Sequence, residues 1–231
     1  NYYDVEIGQK AVKLLNRLGY QVEVPDIGMS GRTYLSKGMV EMAREIAEEN
    51  VEEAMELLGN DAYLIGIEPS AILTFRDEYP DLCRGALKEK AKQLAKRSLL
   101  IEEFLAKELD AGRITKALFT EEEARIRMHG HCFQKALSSL VPLKKILSLP
   151  KNYTVVNIPS GCCGMAGSFG YEREHYDISM KIGELVLFPA IRSELATTLI
   201  SASGTSCRHQ ITDGTGRKAL HPVEILYAAL K

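Results

Sequence analysis

Apolar residues recur at helical spacing over residues 5–18 and 39–58, while short β-rich runs at 21–24 and 62–67 predict strands. A second helical block, rich in Lys, Glu, Leu and Ala, covers 84–109. The pattern then restarts: 125–129 reads as a strand, 133–147 as a helix, 153–158 as a strand, 175–187 as a helix, 198–202 as a strand and 223–230 as a terminal helix. Alternation of this kind predicts an α/β protein whose small parallel sheets are flanked by helices.

The restart is also a faint internal repeat. Val22-Glu23-Val24-Pro25 leads into Gly28-Met29-Ser30-Gly31, and Val155-Val156-Asn157-Ile158-Pro159 leads into Gly161-Cys162-Cys163-Gly164, an offset of 133 between Gly31 and Gly164. Leu64-Ile65 before Ser70-Ala71 matches Leu199-Ile200 before Ser206-Cys207 at 135 to 136. Two pseudo-symmetric lobes are expected, a degenerate first one with a helical linker over 1–115 and a second over 116–231. On this alignment Asn1 falls just after where the first lobe's opening strand belongs, which reads as a truncation. Cys162, Cys163 and Cys207 align with Met29, Ser30 and Ala71, so a thiolate site is expected in the second lobe alone.

Composition narrows the function classes. Of 231 residues 45% are hydrophobic and 26% charged, which fits a folded globular chain and excludes disorder and collagen. The longest apolar run, 185–191, is broken by Pro189 and is far short of the roughly 20 residues that span a bilayer, so no transmembrane segment is expected. Lys and Arg number 29 against 31 Asp and Glu, without segregation, so nucleic acid is not an expected partner. Asn1-Tyr2-Tyr3-Asp4 carries no basic or apolar leader pattern. Five cysteines are too few for a disulfide scaffold, which points to a reducing compartment, the cytoplasm or its inner-membrane periphery, and to a metal or redox role.

Cys132, Cys162, Cys163 and Cys207 each lie just past a predicted strand, where α/β folds gather ligand-binding loops. Cys132, in His129-Gly130-His131-Cys132, precedes a helix, whose N-terminal field favours a thiolate. Cys207, in Gly204-Thr205-Ser206-Cys207-Arg208-His209-Gln210, has Arg208 beside it, so both are expected to be activated thiols. The loop 161–170 has a glycine at every third position, Gly161, Gly164, Gly167 and Gly170. Adjacent thiolates face one site only if the backbone turns sharply, which such glycines allow, together with close approach of backbone N–H groups to a bulky anion such as an iron–sulfur cluster.

This wording resembles the cysteine-rich CCG domain of heterodisulfide reductases and of the iron–sulfur subunits of glycolate, lactate and anaerobic glycerol-3-phosphate oxidoreductases. It is more specifically similar to the C-terminal part of large fusion proteins that join an FAD-linked oxidase domain, a ferredoxin-like domain and paired CCG domains. Glu68-Pro69-Ser70 and Arg76-Asp77-Glu78-Tyr79-Pro80 extend the resemblance over the first half, so it covers essentially the whole chain. It implies electron transfer from an upstream flavin that oxidises a 2-hydroxy acid, of lactate, glycolate or 2-hydroxyglutarate type, through iron–sulfur centres to an acceptor the sequence does not identify. The fullest motif ends in C-x-x-C, and its five cysteines hold a non-cubane 4Fe–4S cluster. Here Gln210 stands at the last position, with His209 beside it. Three or four thiolates with His131 or His209, the latter preferred, suit a cubane or 2Fe–2S centre or one tetrahedral zinc ion. The competing functions are a zinc-stabilised interaction domain and thiol catalysis at Cys132 or Cys207.

The remaining candidates read as structural. Cys83 is expected to be a solitary buried thiol, His175 a surface or capping residue, and His221-Pro222 a helix-opening turn. Glu68 suits a helix cap or a cleft carboxylate. Asp213-Gly214-Thr215-Gly216-Arg217-Lys218 lacks the spacing of a phosphate loop, and the acidic stretch 41–56 is a solvated helix face.

Overall fold

In helix α1 (Val5–Arg17) the buried residues are Ile7, Ala11, Leu14 and Leu15, a stripe spaced as the 3.6-residue period requires. The structure, a computed structural model, describes residues 4–25, 27–59 and 61–231. The chain divides into one unit of Glu23–Phe104 and another of Asn1–Val22 with Leu105–Lys231.

The unit Glu23–Phe104 contains α2 (Arg32–Ser36), α3 (Val40–Leu57), β1 (Leu64–Gly66), α4 (Pro69–Arg76), α5 (Tyr79–Leu82), α6 (Gly85–Arg97) and β2 (Ser98–Leu100), and ends within α7 (Ile101–Asp110). Strands β1 and β2 pair in parallel, with Ile65 opposite Leu99. Two expectations are corrected here. Residues 21–24 form no strand: Val24 is 73% exposed, and strand preference is realised only against a packed, paired surface. The single helix expected over 84–109 is interrupted by β2, because pairing with β1 and burial of Ser98 and Leu100 override the helical composition on either side. Ala43, Ala47, Val51 and Ala54 of α3 pack with Phe75, Tyr79 and Leu94. Above them Asn50 Nδ2 donates to Met29 O at 2.9 Å and to Tyr79 Oη at 2.7 Å, and Tyr79 Oη donates to Ser30 O at 3.0 Å. The Met29-Ser30 loop is thus pinned by neutral hydrogen bonds. Glu68 caps α4, accepting from Ser70 N at 3.2 Å and Ser70 Oγ at 2.8 Å.

In the other unit follow β3 (Ala124–His129), α8 (Cys132–Leu137), α9 (Val141–Leu147), β4 (Tyr153–Asn157), α10 (Tyr176–Leu185), α11 (Leu187–Arg192), β5 (Leu199–Ala202), α12 (Thr205–Thr215), β6 (Ala219–Leu220) and α13 (Pro222–Ala228). The helix expected over 133–147 breaks into α8 and α9 at Ser138, which leaves helical backbone (φ −149°, ψ −140°), and restarts with Pro142 in the first turn. The fold is mixed α/β, with two small parallel sheets of two and four strands flanked by helices. Among the described residues no helix is long and apolar enough to cross a membrane.

The larger sheet has the order β4-β3-β5-β6, all parallel. The chain lays β4 on one side of β3 and β5 on the other, so the direction of winding reverses between β3 and β5. At such a switch point the loops leaving the carboxyl ends of the strands diverge and open a crevice. Register decides what faces that end. Ile126 pairs with Leu199 and Met128 with Ser201, so Ile126 and Met128 point to one face, where they pack with Leu143 and Leu147 of α9. Ile200 and Ala202 point to the other, into a core with Phe188, Ile191, Ile211, Cys163 and Cys207. His129, paired with Ala202, shares that second face.

Candidate metal centre

Three strand ends deliver the site. His129 closes β3, and His131 caps α8, its Nδ1 accepting the Phe133 N–H at 3.2 Å, so that Cys132 is the first residue of that helix. The chain leaving β4 carries Cys162 and Cys163, and the turn after β5 places Cys207 in the opening turn of α12. Two glycines make this convergence possible. A Cβ on Gly204 would lie 2.4 Å from His131 Cδ2 and 3.3 Å from Cys207 Sγ. Gly164 has φ +108°, and a Cβ there would meet Ser179 O at 2.2 Å, so the turn after the cysteine pair closes against α10 only without a side chain. Gly167, at φ +69°, completes the turn, whereas a Cβ on Gly161 would find nothing within 4 Å.

The four thiols form a chain in which Cys132 reaches Cys162, Cys162 reaches Cys163 and Cys163 reaches Cys207 by hydrogen bonds. Cys163 and Cys207 are buried, and Cys132 and Cys162 half-buried. Hydrogen bonds from Cys132 and Cys163 hold Cys162 well below the ordinary thiol range, helped by the backbone N–H groups of Gly164 and Ala166. Cys207 is likewise held low by Cys163, against the cost of burial, with His129 and His131 adding to the effect. Cys132 and Cys163 are pushed up, because each gives its proton to a neighbouring thiolate and both are desolvated. The expected activation of Cys132 is therefore corrected: the adjacent Cys162 thiolate outweighs the helix start. The expected influence of Arg208 on Cys207 is corrected too. Its guanidinium turns to Asp4 at 2.6 Å and to Ser203 O at 2.5 Å.

His129 is the residue that sequence reasoning missed. One of its ring nitrogens and the sulfurs of Cys163 and Cys207 all lie within 4.8 Å of one another. Its Nδ1 is 2.8 Å from Ser160 Oγ, while Nε2 is buried and among the described residues meets no nitrogen or oxygen partner, which leaves it to the sulfur of Cys207. Its signal in the sequence was its place at the end of a strand, two residues before another histidine. His131 also lies against Cys207 and is 5% exposed, but its Nδ1 is committed to the cap. His209 is exposed on α12, its Nδ1 2.8 Å from Tyr171 Oη, and the structure does not bring it to the thiols. Gln210 turns inward instead, its Nε2 donating to Cys163 O and Ser179 O, each at 3.1 Å, and to Ser179 Oγ at 2.9 Å.

The chain is similar to parts of bacterial dehydrogenases. It is 26% identical over 232 residues to D-2-hydroxyglutarate dehydrogenase of Escherichia coli strain K12, covering the whole of this chain and 22% of that protein. It is 29% identical over 234 residues to a subunit of the anaerobic glycerol-3-phosphate dehydrogenase of the same strain, and covers 57% of that subunit. Lactate utilization protein A of Bacillus subtilis strain 168 is 26% identical over 97% of this chain and 93% of its own length. The chain thus spans about a fifth of the first of these relatives and just over half of the second. By name, the first of these is a dehydrogenase, the second a subunit of one and the third a lactate utilization protein. No family model and no solved structure matches the chain.

The residues set aside in the sequence stay outside this centre. Cys83 is buried in the unit Glu23–Phe104, its thiol pushed up to about 11 by burial, with Glu48 adding to the shift. His221 opens α13 with a reciprocal cap: its Nδ1 accepts from Val223 N at 3.1 Å, and Glu224 Oε2 accepts from His221 N at 2.9 Å. His175 stacks on Phe169 at the start of α10, with a centroid separation of 4.0 Å.

Proposed function

We propose that this chain is the electron-transfer part of an FAD- and iron–sulfur-dependent oxidoreductase that oxidises a 2-hydroxy acid of the lactate, glycolate or 2-hydroxyglutarate type. Cys132, Cys162, Cys163 and Cys207 would hold the iron–sulfur centre, with flavin and ferredoxin-like domains elsewhere in the same polypeptide. The observation that supports this best is the convergence of four cysteines from three strand ends into one unbroken chain of sulfurs at the sheet's switch point.

The donor set fits such a group. Soft thiolates suit iron–sulfur clusters and zinc, and a buried ring nitrogen of His129 lies within 4.8 Å of the Cys163 and Cys207 sulfurs. Bound there, a cluster would supply a one-electron carrier. The protein's own part is to hold the thiolates and set their surroundings. N–H groups of Phe133, Gly164 and Met165 point at Cys132, Cys162 and Cys163 respectively, and that of Ala166 at Cys162. Hydrogen bonds to ligating sulfurs favour the reduced state and so raise the potential. Gly164 and Gly167 shape the turn that aims these N–H groups, and the apolar core around Cys163 and Cys207 keeps water from them. Thiol catalysis suits the arrangement poorly, since Cys207 is buried and Cys132 is held protonated.

Anaerobic purification followed by visible absorption and assay of iron and acid-labile sulfide tests the proposal. Colour with stoichiometric iron and sulfide is expected. A colourless chain that retains zinc would replace it with the zinc-stabilised interaction domain, and a metal-free chain with alkylation-sensitive activity would favour thiol catalysis.

A further inference from the structure

We infer that His129 is a nitrogen donor to the thiolate centre, held in the required tautomer by Ser160. The inference rests on the reading of the four cysteines as a metal centre and adds a ligand of a different element to it.

Three observations carry it. First, the β3–β5 register sends His129 to the same face as Ile200 and Ala202, the face onto which Cys163 and Cys207 pack. Second, His129 is 1% exposed, and among the described residues its Nε2 meets no nitrogen or oxygen partner and is left to the sulfur of Cys207, with a ring nitrogen and the sulfurs of Cys163 and Cys207 all within 4.8 Å of one another. A buried ring nitrogen whose neighbour is a thiolate sulfur is placed to share a metal with it. Third, the other nitrogen is already committed: Nδ1 lies 2.8 Å from Ser160 Oγ. Ser160 is itself buried, and its carbonyl is held by Lys135 Nζ at 2.9 Å. With Nδ1–H donating to Ser160 Oγ, the lone pair is on Nε2. A metal-bound imidazole characteristically donates its second N–H to an oxygen in this way, which fixes both tautomer and ring orientation.

His131 and His209 lack this arrangement. The Nδ1 of His131 caps α8, and His209 is exposed and bonded to Tyr171. Ser160 is also two residues before Cys162, so the His129–Ser160 bond ties β3 to the strand-exit segment that carries the paired cysteines.

The test uses the full chain, purified anaerobically, reconstituted with ferrous iron and sulfide, reduced, and labelled with 15N-histidine. Pulsed electron paramagnetic resonance should show a directly bound histidine nitrogen whose hyperfine coupling shifts with the isotope. That coupling should vanish in His129→Ala and persist in His131→Ala and His209→Ala. Ser160→Ala should keep the coupling but surrender iron to a chelator roughly tenfold more readily. A wild-type chain with full iron and sulfide but no histidine coupling overturns the assignment and makes His129 a hydrogen-bond donor to Cys207, while leaving the iron–sulfur reading intact. Coupling that survives His129→Ala overturns it equally, and the wild-type spectrum decides the matter even where a variant fails to fold. If the chain takes up zinc and no cluster, the iron–sulfur reading fails and the cobalt(II)-substituted protein answers the same question through the same coupling. A chain that binds neither metal overturns both.

Discussion

The carboxylate of Asp4 holds Arg208 Nη2 at 2.6 Å and so joins the start of α1 to the helix that carries Cys207. Arg208 is nearly buried, with its side chain 8% exposed, and its other amino group is spent on the carbonyls at the end of β5. Removing the Asp4 charge takes away the carboxylate that balances that guanidinium. Asp4→Asn should therefore destabilise the folded chain by about 2 kcal/mol at neutral pH, read as a lower urea midpoint with an unchanged slope.

The same pair sets a pH dependence with a definite sign. Burial opposes ionisation of Asp4, but hydrogen bonds from Thr205 and Arg208 outweigh it and hold the carboxyl below its ordinary value of 3.8. A carboxyl with a depressed folded pKa contributes stability that is complete above its unfolded value and is lost as pH falls through the folded one. The stability gap between wild type and Asp4→Asn should be flat from neutrality down to the ordinary carboxylate range and close below it. A gap that widens on acidification would contradict the assignment.

Ligation predicts a pattern among the five cysteines. Serine in place of Cys132, Cys162, Cys163 or Cys207 should sharply lower bound iron or zinc, because a hard neutral hydroxyl replaces a soft thiolate poorly. Cys83→Ser, in the unit Glu23–Phe104, should leave metal content per folded molecule unchanged. Metal analysis on protein shown to be folded by circular dichroism checks this. A loss at Cys83 equal to that at Cys163 would break the pattern.

Much of this was legible in the sequence, for identifiable reasons. Strands β4 and β5 announced themselves through short runs containing β-branched residues, and β3 through the alternation of Ile126 and Met128 with Arg125 and Arg127; turn residues follow each, so the cysteines could be placed past their carboxyl ends. β2 was hidden because its three residues, Ser98–Leu100, lie between two helix-forming stretches and become a strand only by pairing with β1. His129 was hidden for a related reason. Its direction depends on pairing with Ala202, a fact of register that no local pattern encodes. Arg208 misled because adjacency in a helix does not set side-chain direction: successive residues diverge by about 100°.

The glycines of the cysteine loop are not equivalent. Gly164→Ala forces a Cβ against Ser179 O, 2.2 Å away, at φ +108°, a backbone region that alanine rarely adopts. The expected cost is about 2–3 kcal/mol, together with reduced metal content as the N–H of Gly164 leaves Cys162. Gly161→Ala meets open space and should change stability by no more than about 0.5 kcal/mol. Thermal unfolding and metal analysis of the two variants side by side test whether the turn itself shapes the site.

Gln210 gives the most discriminating substitution, because its role depends on donating. Its amide faces three acceptors and binds the carbonyl of Cys163 to α10. Gln210→Ala removes the donor and leaves buried carbonyls unsatisfied, at about 1–3 kcal/mol. Gln210→Glu keeps the shape but aims an anion at those oxygens, so at neutral pH it should be the more damaging of the two. Its carboxyl will bind a proton more tightly in the folded chain than in the unfolded one, since only the protonated form can donate. Stability of the Glu variant should therefore rise as pH falls through that elevated folded value toward the ordinary glutamate range, overtaking the Ala variant. Urea unfolding of both variants across this range decides the point: parallel pH profiles would mean that Gln210 fills space rather than donating hydrogen bonds.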